Sequence, residues 1–412
     1  MEHHDAIAQE RTEVLPQKMT WIEARIASTL KAILGVGTVG RLDVVMPSGP
    51  RIVIGFEDTG PSARVVMKSL MPAWRAATRG ALGLAESYMR SEIDTPDLGA
   101  VLRFCLANFE QLEGTGNGPI RTRLWDRVWH QGRNNTRRGS RRNIAAHYDL
   151  GNEFYSLWLD PGMTYSSAIF RNAAHTLDEA QTEKNRIILN ELNVDTGDRI
   201  LEIGCGWGGL AEAAARRGVH VTGLTLSREQ LSYASDRMRR AGLSALADLR
   251  FQDYRDCSGV FDAIASVEMI EAVGEAHWPL YFQTLHDRLK PGGRAVVQAI
   301  TIDEQYFNTY RRKADFIQRY IFPGGMLPAV ARMQAEAARA GLKFETVERF
   351  GSSYASTLVE WRTRFRAHWP EIQKLGFDER FRRMWEYYLT YCEVGFERGD
   401  VDAGIYRLTK PL

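Results

Sequence analysis

Ile200-Leu201-Glu202-Ile203-Gly204-Cys205-Gly206-Trp207-Gly208-Gly209 is the stretch that decides the fold of this chain. The run from Arg199 to Ile203 predicts a short buried strand, and the Ala-rich stretch from Leu210 to Arg217 predicts a helix. A glycine-rich turn joins them. Strand, glycine turn and helix make the first unit of a nucleotide-binding α/β domain. Glycines let the backbone approach a ligand with no Cβ in the way, and the helix N-terminus beyond them offers unpaired N–H groups to polar or anionic atoms. The spacing is E-x-G-x-G-x-G-G, not the dinucleotide form G-x-G-x-x-G.

Working downstream, the α/β alternation continues. Strands are expected at 199–203, 220–224, 248–252, 261–267 and 293–299, with helices between them and Pro291-Gly292-Gly293 as a tight turn into the last. Such alternation implies a parallel sheet with right-handed crossovers, whose ligands sit at the carboxyl ends of the strands. Those ends carry Glu202 to Gly209, Thr225 to Gln230, Gln252 and Asp253, Glu268 to Glu271, and Gln298 to Ile300.

Upstream, residues 19–34 predict an amphipathic helix with Trp21, Ile22, Ile26, Leu30 and Ile33 on its apolar face. Gly35-Val36-Gly37-Thr38-Val39-Gly40 has literal G-x-G-x-x-G spacing, but it follows a helix and precedes a strand, the wrong order for a nucleotide site. Three strands (42–46, 51–56, 64–67) and helices at 72–79, 82–90 and 97–112 suggest a small α+β module. Residues 113–142 form a break rich in glycine and then in arginine, with Trp125 and Trp129 four apart. That segment reads either as a solvated linker or as a contact for an anionic membrane surface, where each arginine contributes ~1 kcal/mol; nothing beside it supports nucleic-acid reading. The 412 residues, 44% hydrophobic and 25% charged, suit two globular domains. No apolar run approaches the ~20 residues that span a bilayer, and the polar, acidic N-terminus does not resemble a secretory signal. Four scattered cysteines without C-x-x-C spacing predict neither a disulfide framework nor a metal site and fit a reducing cytoplasm.

The glycine pattern resembles motif I of class I S-adenosylmethionine (SAM) methyltransferases. Around it stand His147-Tyr148-Asp149-Leu150-Gly151-Asn152-Glu153-Phe154-Tyr155, Leu159-Asp160-Pro161-Gly162-Met163-Thr164-Tyr165-Ser166-Ser167-Ala168, Phe316-Ile317-Gln318-Arg319-Tyr320-Ile321-Phe322-Pro323-Gly324-Gly325 and Tyr354-Ala355-Ser356-Thr357-Leu358. Together they resemble the cyclopropane-fatty-acyl-phospholipid synthase family from about residue 140 to the C-terminus. The resemblance implies a Rossmann-like catalytic domain at 143–412, a basic linker at 113–142 and a smaller lipid-associating α+β domain at 1–112. It implies a cytoplasmic enzyme, peripheral to the inner membrane surface, that moves a methyl from SAM to the double bond of a phospholipid acyl chain. A homodimer is one open expectation for its assembly.

Carried over by position, Tyr165 and Ser166 would contact SAM, with Gly204, Gly206 and Gly208 around its methionine portion. Thr225 and Gln230 would lie at the ribose, where the usual acidic residue is absent and the Gln230 amide would take the hydroxyls. Gln252 and Asp253 would lie at the adenine, or else form a polar surface turn. Methyl transfer to an alkene leaves a carbocation, and a base must then remove a proton: from the new methyl to close a cyclopropane, or from the chain to leave a methyl-branched alkene. The family holds a bicarbonate for this with a cysteine, a glutamate, a histidine and a tyrosine. Here the cysteine position is Ser167, one histidine position is Gln298 and another is Ala272, while Glu271, Ile300 and Tyr354 remain and Glu268 is an added carboxylate. Serine and glutamine donate hydrogen bonds to an anion, but glutamine carries no proton and charge as histidine does. Bicarbonate and ring closure are therefore open at this stage. Two other readings compete: a methyltransferase of a small polar molecule, and a non-catalytic SAM- or lipid-binding protein. The flanking motifs weigh against the first; Glu271, Tyr354 and the glycine loop weigh against the second.

Overall fold

The computed structural model describes residues 18–35, 37–109, 112, 150–312 and 315–412. The basic segment and the His147–Asp149 motif residues lie outside them. The chain divides into two compact units, one within residues 1–117 and one within 118–412.

In the first unit a four-stranded sheet has the order β2-β1-β3-β4, from Arg41–Val45 (β1), Arg51–Gly55 (β2), Ser62–Met67 (β3) and Ile93–Asp94 (β4). The helix Trp21–Leu34 starts with a capping box between Thr20 and Glu23. Glu23 also accepts from Ser48 N (2.9 Å) and Ser48 Oγ (2.6 Å) in the β1–β2 turn. This turns residue 23 inward, so Glu23, Ala27 and Leu34 are the buried positions. Trp21 and Ile22, expected on the buried face, are exposed instead. The two helices expected at 72–79 and 82–90 form one helical run, Met71–Met89, broken at Gly80, whose φ of 56° lies in the left-handed region. The helix expected over 97–112 is capped by Asp97 and ends at Ala107. Beyond it, the Asn108 side chain binds Val39 N (2.8 Å) and Val39 O (2.9 Å), satisfying a loop that no strand pairs.

In the second unit a seven-stranded sheet has the order β10-β11-β9-β8-β5-β6-β7. Its strands are Arg199–Ile203 (β5), His220–Thr225 (β6), Ala247–Phe251 (β7), Phe261–Val267 (β8), Leu289–Ile302 (β9), Lys343–Arg349 (β10) and Val401–Thr409 (β11). β5 to β9 run parallel, as the alternation predicts. Ile200 to Ile203 are all buried, as in a strand covered on both faces. The Pro291-Gly292-Gly293 turn proves to be a bulge inside β9, where pairing with β8 jumps from Leu289 to Arg294. The C-terminal pair β10 and β11 is an addition that the alternation does not contain. β11 lies antiparallel between β9 and β10, in register from Val401↔Ile302 to Thr409↔Arg294. Gly399, with φ 83°, ends the helix Glu379–Arg398 and returns the chain into the sheet.

Candidate active site

The glycine turn is built at the end of β5. Gly204 N and Cys205 N both donate to Leu224 O (2.9 Å each), tying the turn to the end of β6. Gly206 has φ 51°, and a Cβ there would enter open space. Glu202 is buried in β5; its carboxyl is pushed up to about 8 by burial, and its Oε2 has no hydrogen-bond partner among the described residues. A buried, orphaned carboxylate oxygen leading into a glycine cradle fits the α-ammonium end of an amino acid such as the methionine portion of SAM. Next along the strand ends, Thr225 Oγ1 donates to Gln230 Oε1 (2.9 Å), which leaves the amide N–H groups as this pair's donors. Both residues are buried.

Gln252 and Asp253 form a polar turn in which Asp253 is buried and Gln252 half-buried. Asp253 is buried and pairs with Arg255 through Nη2 (2.7 Å) and Nε (2.9 Å), so its carboxylate holds the short turn 254–256 in place. Gln252 Nε2 donates to Asp256 O (2.8 Å) across the same turn.

Past the end of β8, against the last residues of β9, the structure gathers a second cluster. Glu268 Oε1 accepts from Ser167 N (2.8 Å) and Gln298 Nε2 (2.8 Å), and Glu268 Oε2 accepts from Tyr354 Oη (2.8 Å). The positions expected around a separate anion thus converge on a carboxylate of the chain. Ser167 uses its backbone N–H for this; its hydroxyl donates to Ala168 O (2.9 Å). Glu271 Oε1 accepts from Ile300 N (2.5 Å), and its buried Oε2 has no partner among the described residues. Burial first, and then the charge of Glu268, push the Glu271 carboxyl up to about 8. Burial also raises the Glu268 carboxyl, opposed by its three donors and by Lys184.

An aromatic wall lines the same region. Tyr354 stacks on Phe396 with centroids 4.4 Å apart, and Trp361 meets both Tyr354 and Tyr165. The Tyr165 and Tyr388 hydroxyls lie 2.9 Å apart. Tyr354 and Trp361 come from the helix Gly351–Ala367, and Tyr388 and Phe396 from Glu379–Arg398.

Lys184 was not anticipated. It is buried on the helix Leu177–Leu192 and donates from Nζ to Ser166 Oγ (2.8 Å), while Gln181 Nε2 donates to Ser166 O (2.9 Å). Burial lowers the Lys184 ammonium to about 8, offset by Glu268, Asp160 and Glu202. A signal was available: Leu177, Gln181, Lys184 and Ile188 share one helical face, and a lysine on an otherwise inward face calls for buried anions.

An open parallel sheet with a glycine cradle after its first strand, an orphaned acid within it and an antiparallel last strand defines a SAM-dependent methyltransferase of class I architecture. Residues 135–405 match the family model described as mycolic acid cyclopropane synthetase, and the chain belongs to that family. It is 39% identical to the tuberculostearic acid methyltransferase UfaA1 of Mycobacterium tuberculosis over 80% of this chain and 79% of the relative. It is 37% identical to the cyclopropane-fatty-acyl-phospholipid synthase of Escherichia coli K12, over 79% of this chain and 82% of that one. Among solved structures it is similar to the mycolic acid cyclopropane synthase CmaA1 complexed with SAH and CTAB (30% identity, TM-score 0.62, 66% of this chain and 98% of that chain).

Proposed function

We propose that this methyltransferase transfers the methyl group of SAM to a double-bond carbon of an unsaturated acyl chain in a membrane phospholipid, and that the product keeps a methyl branch rather than a ring. The observation that carries this reading is the pairing of buried carboxylates with an aromatic wall at the ends of β8 and β9. SAM, when bound, supplies the electrophilic methyl. An alkene that takes it becomes a carbocation, which aromatic faces and fixed negative charge in a dry site stabilise. A small polar substrate has no such need.

In this reading Tyr165, Ser166, Gly204, Gly206, Gly208, Thr225 and Gln230 hold SAM, with Gln252 and the Asp253–Arg255 turn toward its adenine. Glu268, Glu271, Tyr354, Gln298 and Ser167 serve the reacting chain. The names of the two sequence relatives support lipid chemistry, and the first is a methyltransferase name without a ring. The first unit then acts as a lipid-associating domain, with 113–142 as a basic link and 143–412 as the catalytic domain. Eight of the thirteen exposed large apolar side chains among the described residues lie between Trp21 and Phe109, including Trp21, Phe56 and Trp74. Such a surface suits attachment to the cytoplasmic face of a membrane; no helix of the described residues is long and apolar enough to cross one.

The test is turnover with methyl-deuterated SAM and a monounsaturated phospholipid, followed by mass spectrometry. A branched product retains all three methyl deuteriums and loses a chain hydrogen. A dominant product with two deuteriums would mean that the proton leaves the transferred methyl, and would overturn the branching assignment.

A further inference from the structure

Three donors from three separate segments meet on Glu268: Ser167 N, Gln298 Nε2 of β9 and Tyr354 Oη of the helix Gly351–Ala367. Glu268 itself has φ 49°, a left-handed conformation that costs a residue with a Cβ and persists only where the surroundings over-determine it. Its three hydrogen bonds are that over-determination. A carboxylate offers about four lone-pair sites, so one site on Oε2 stays open. Glu271, three residues on, has one donor and one unpartnered oxygen. With three donors against one, Glu268 is the better placed of the two to hold the negative charge, and Glu271 to hold a proton.

The remaining unpaired atoms of the cluster point to the same conclusion. Besides Glu271 Oε2, the buried Gln298 Oε1 lacks a partner among the described residues. A further anion in this cluster would find four donors spent, those of Ser167, Gln298, Tyr354 and Ile300, one left on Glu271, a free amide oxygen and a carboxylate of like charge.

We propose that Glu268 supplies from the chain itself the anion this active site uses: its carboxylate takes the donor set that would otherwise hold a free bicarbonate, and it accepts the proton that leaves the methylated chain. This rests on the acyl-chain methylation proposed above. The alkene π pair forms the new bond to the methyl carbon, and the C–S pair stays on sulfur. The adjacent chain carbon is left cationic. A neighbouring C–H bond then breaks; its electron pair closes the new double bond and its proton passes to Glu268 Oε2, to be released to water after turnover.

Glu268→Gly is the informative variant, because glycine accepts φ 49° and leaves the three donors facing a vacancy. Binding of ¹³C-labelled bicarbonate is followed by NMR line broadening, and turnover is measured in carbonate-free buffer with and without added bicarbonate or formate. The native enzyme is expected to give no broadening and equal turnover in both buffers. Glu268→Gly is expected to broaden the signal, to lose on the order of 100-fold in turnover, as for loss of a general base, and to regain at least about tenfold with either anion. Glu268→Gln, which fills the vacancy, is expected to lose turnover without rescue. Unchanged SAM affinity by calorimetry establishes that both variants are folded. Bicarbonate-dependent turnover or bicarbonate broadening in the native enzyme, or full turnover by Glu268→Gly, would overturn the proposal. If the NMR pattern holds while the native enzyme methylates no unsaturated lipid, the built-in anion stands and the acyl-chain reading is what fails.

Discussion

Gly206 and Glu268 share a positive φ and differ in what it serves. At Gly206 a φ of 51° opens space that a Cβ would fill; at Glu268 a φ of 49° delivers a carboxylate to three donors. Gly206→Val combines left-handed strain on a β-branched residue with loss of that space. Its SAM affinity should fall at least tenfold, or ~1.4 kcal/mol, as measured by calorimetry on protein whose circular dichroism is unchanged. Native affinity in a folded variant would move the cofactor away from this turn. The glycines were legible in the sequence because their spacing is local. Glu268 was legible as an added carboxylate, but its donors were not, because a residue in a strand-end loop shows its partners only when residues 167, 298 and 354 arrive from elsewhere in the chain.

Among the elements, β5 carries a buried acid among its apolar residues. Glu202 sits within a fully buried run, and burial holds its carboxyl near 8 against an ordinary 4.5, with Lys184 pulling the other way. The folded state thus binds this proton more tightly than the unfolded state does. This contribution to stability should fall as pH rises from about 4.5 to about 8 and level off above, with Glu271 acting in the same direction. Glu202→Gln should flatten the decline by up to ~1.4 kcal/mol per pH unit, read by chemical denaturation at pH 5, 6.5 and 8. An equally steep decline in the variant would show that Glu202 titrates normally. The helix Leu177–Leu192 complements β5 by placing Lys184 near its acid, so the two elements share one buried charge problem.

For the whole molecule, the division of labour proposed for the two units yields the membrane prediction. The basic segment and the exposed apolar side chains of the first unit should act together on an anionic bilayer. Replacing Arg137, Arg138, Arg141 and Arg142 with glutamine should reduce sedimentation with anionic vesicles at low salt, with little effect on SAM binding. The native protein should itself be released as salt rises. A variant whose salt-dependent sedimentation matches the native protein's would leave the segment as a plain linker.

The sequence by itself determined the catalytic fold's parallel half, the glycine cradle and the family, because each is written in short local patterns: an apolar run, a glycine spacing, a strand-helix alternation. It also marked residues 167, 268, 271, 298 and 354 as one candidate site, through motifs in and around the sheet. Tertiary structure alone decided the rest. It inserted β11 antiparallel between β9 and β10, a pairing set by how the chain returns after Gly399. It turned Trp21 outward because Glu23 was needed at Ser48. And it closed Ser167, Gln298 and Tyr354 onto Glu268. Hydrogen bonds between residues about 30 to 100 positions apart depend on where the backbone carries them, and local pattern holds no record of that.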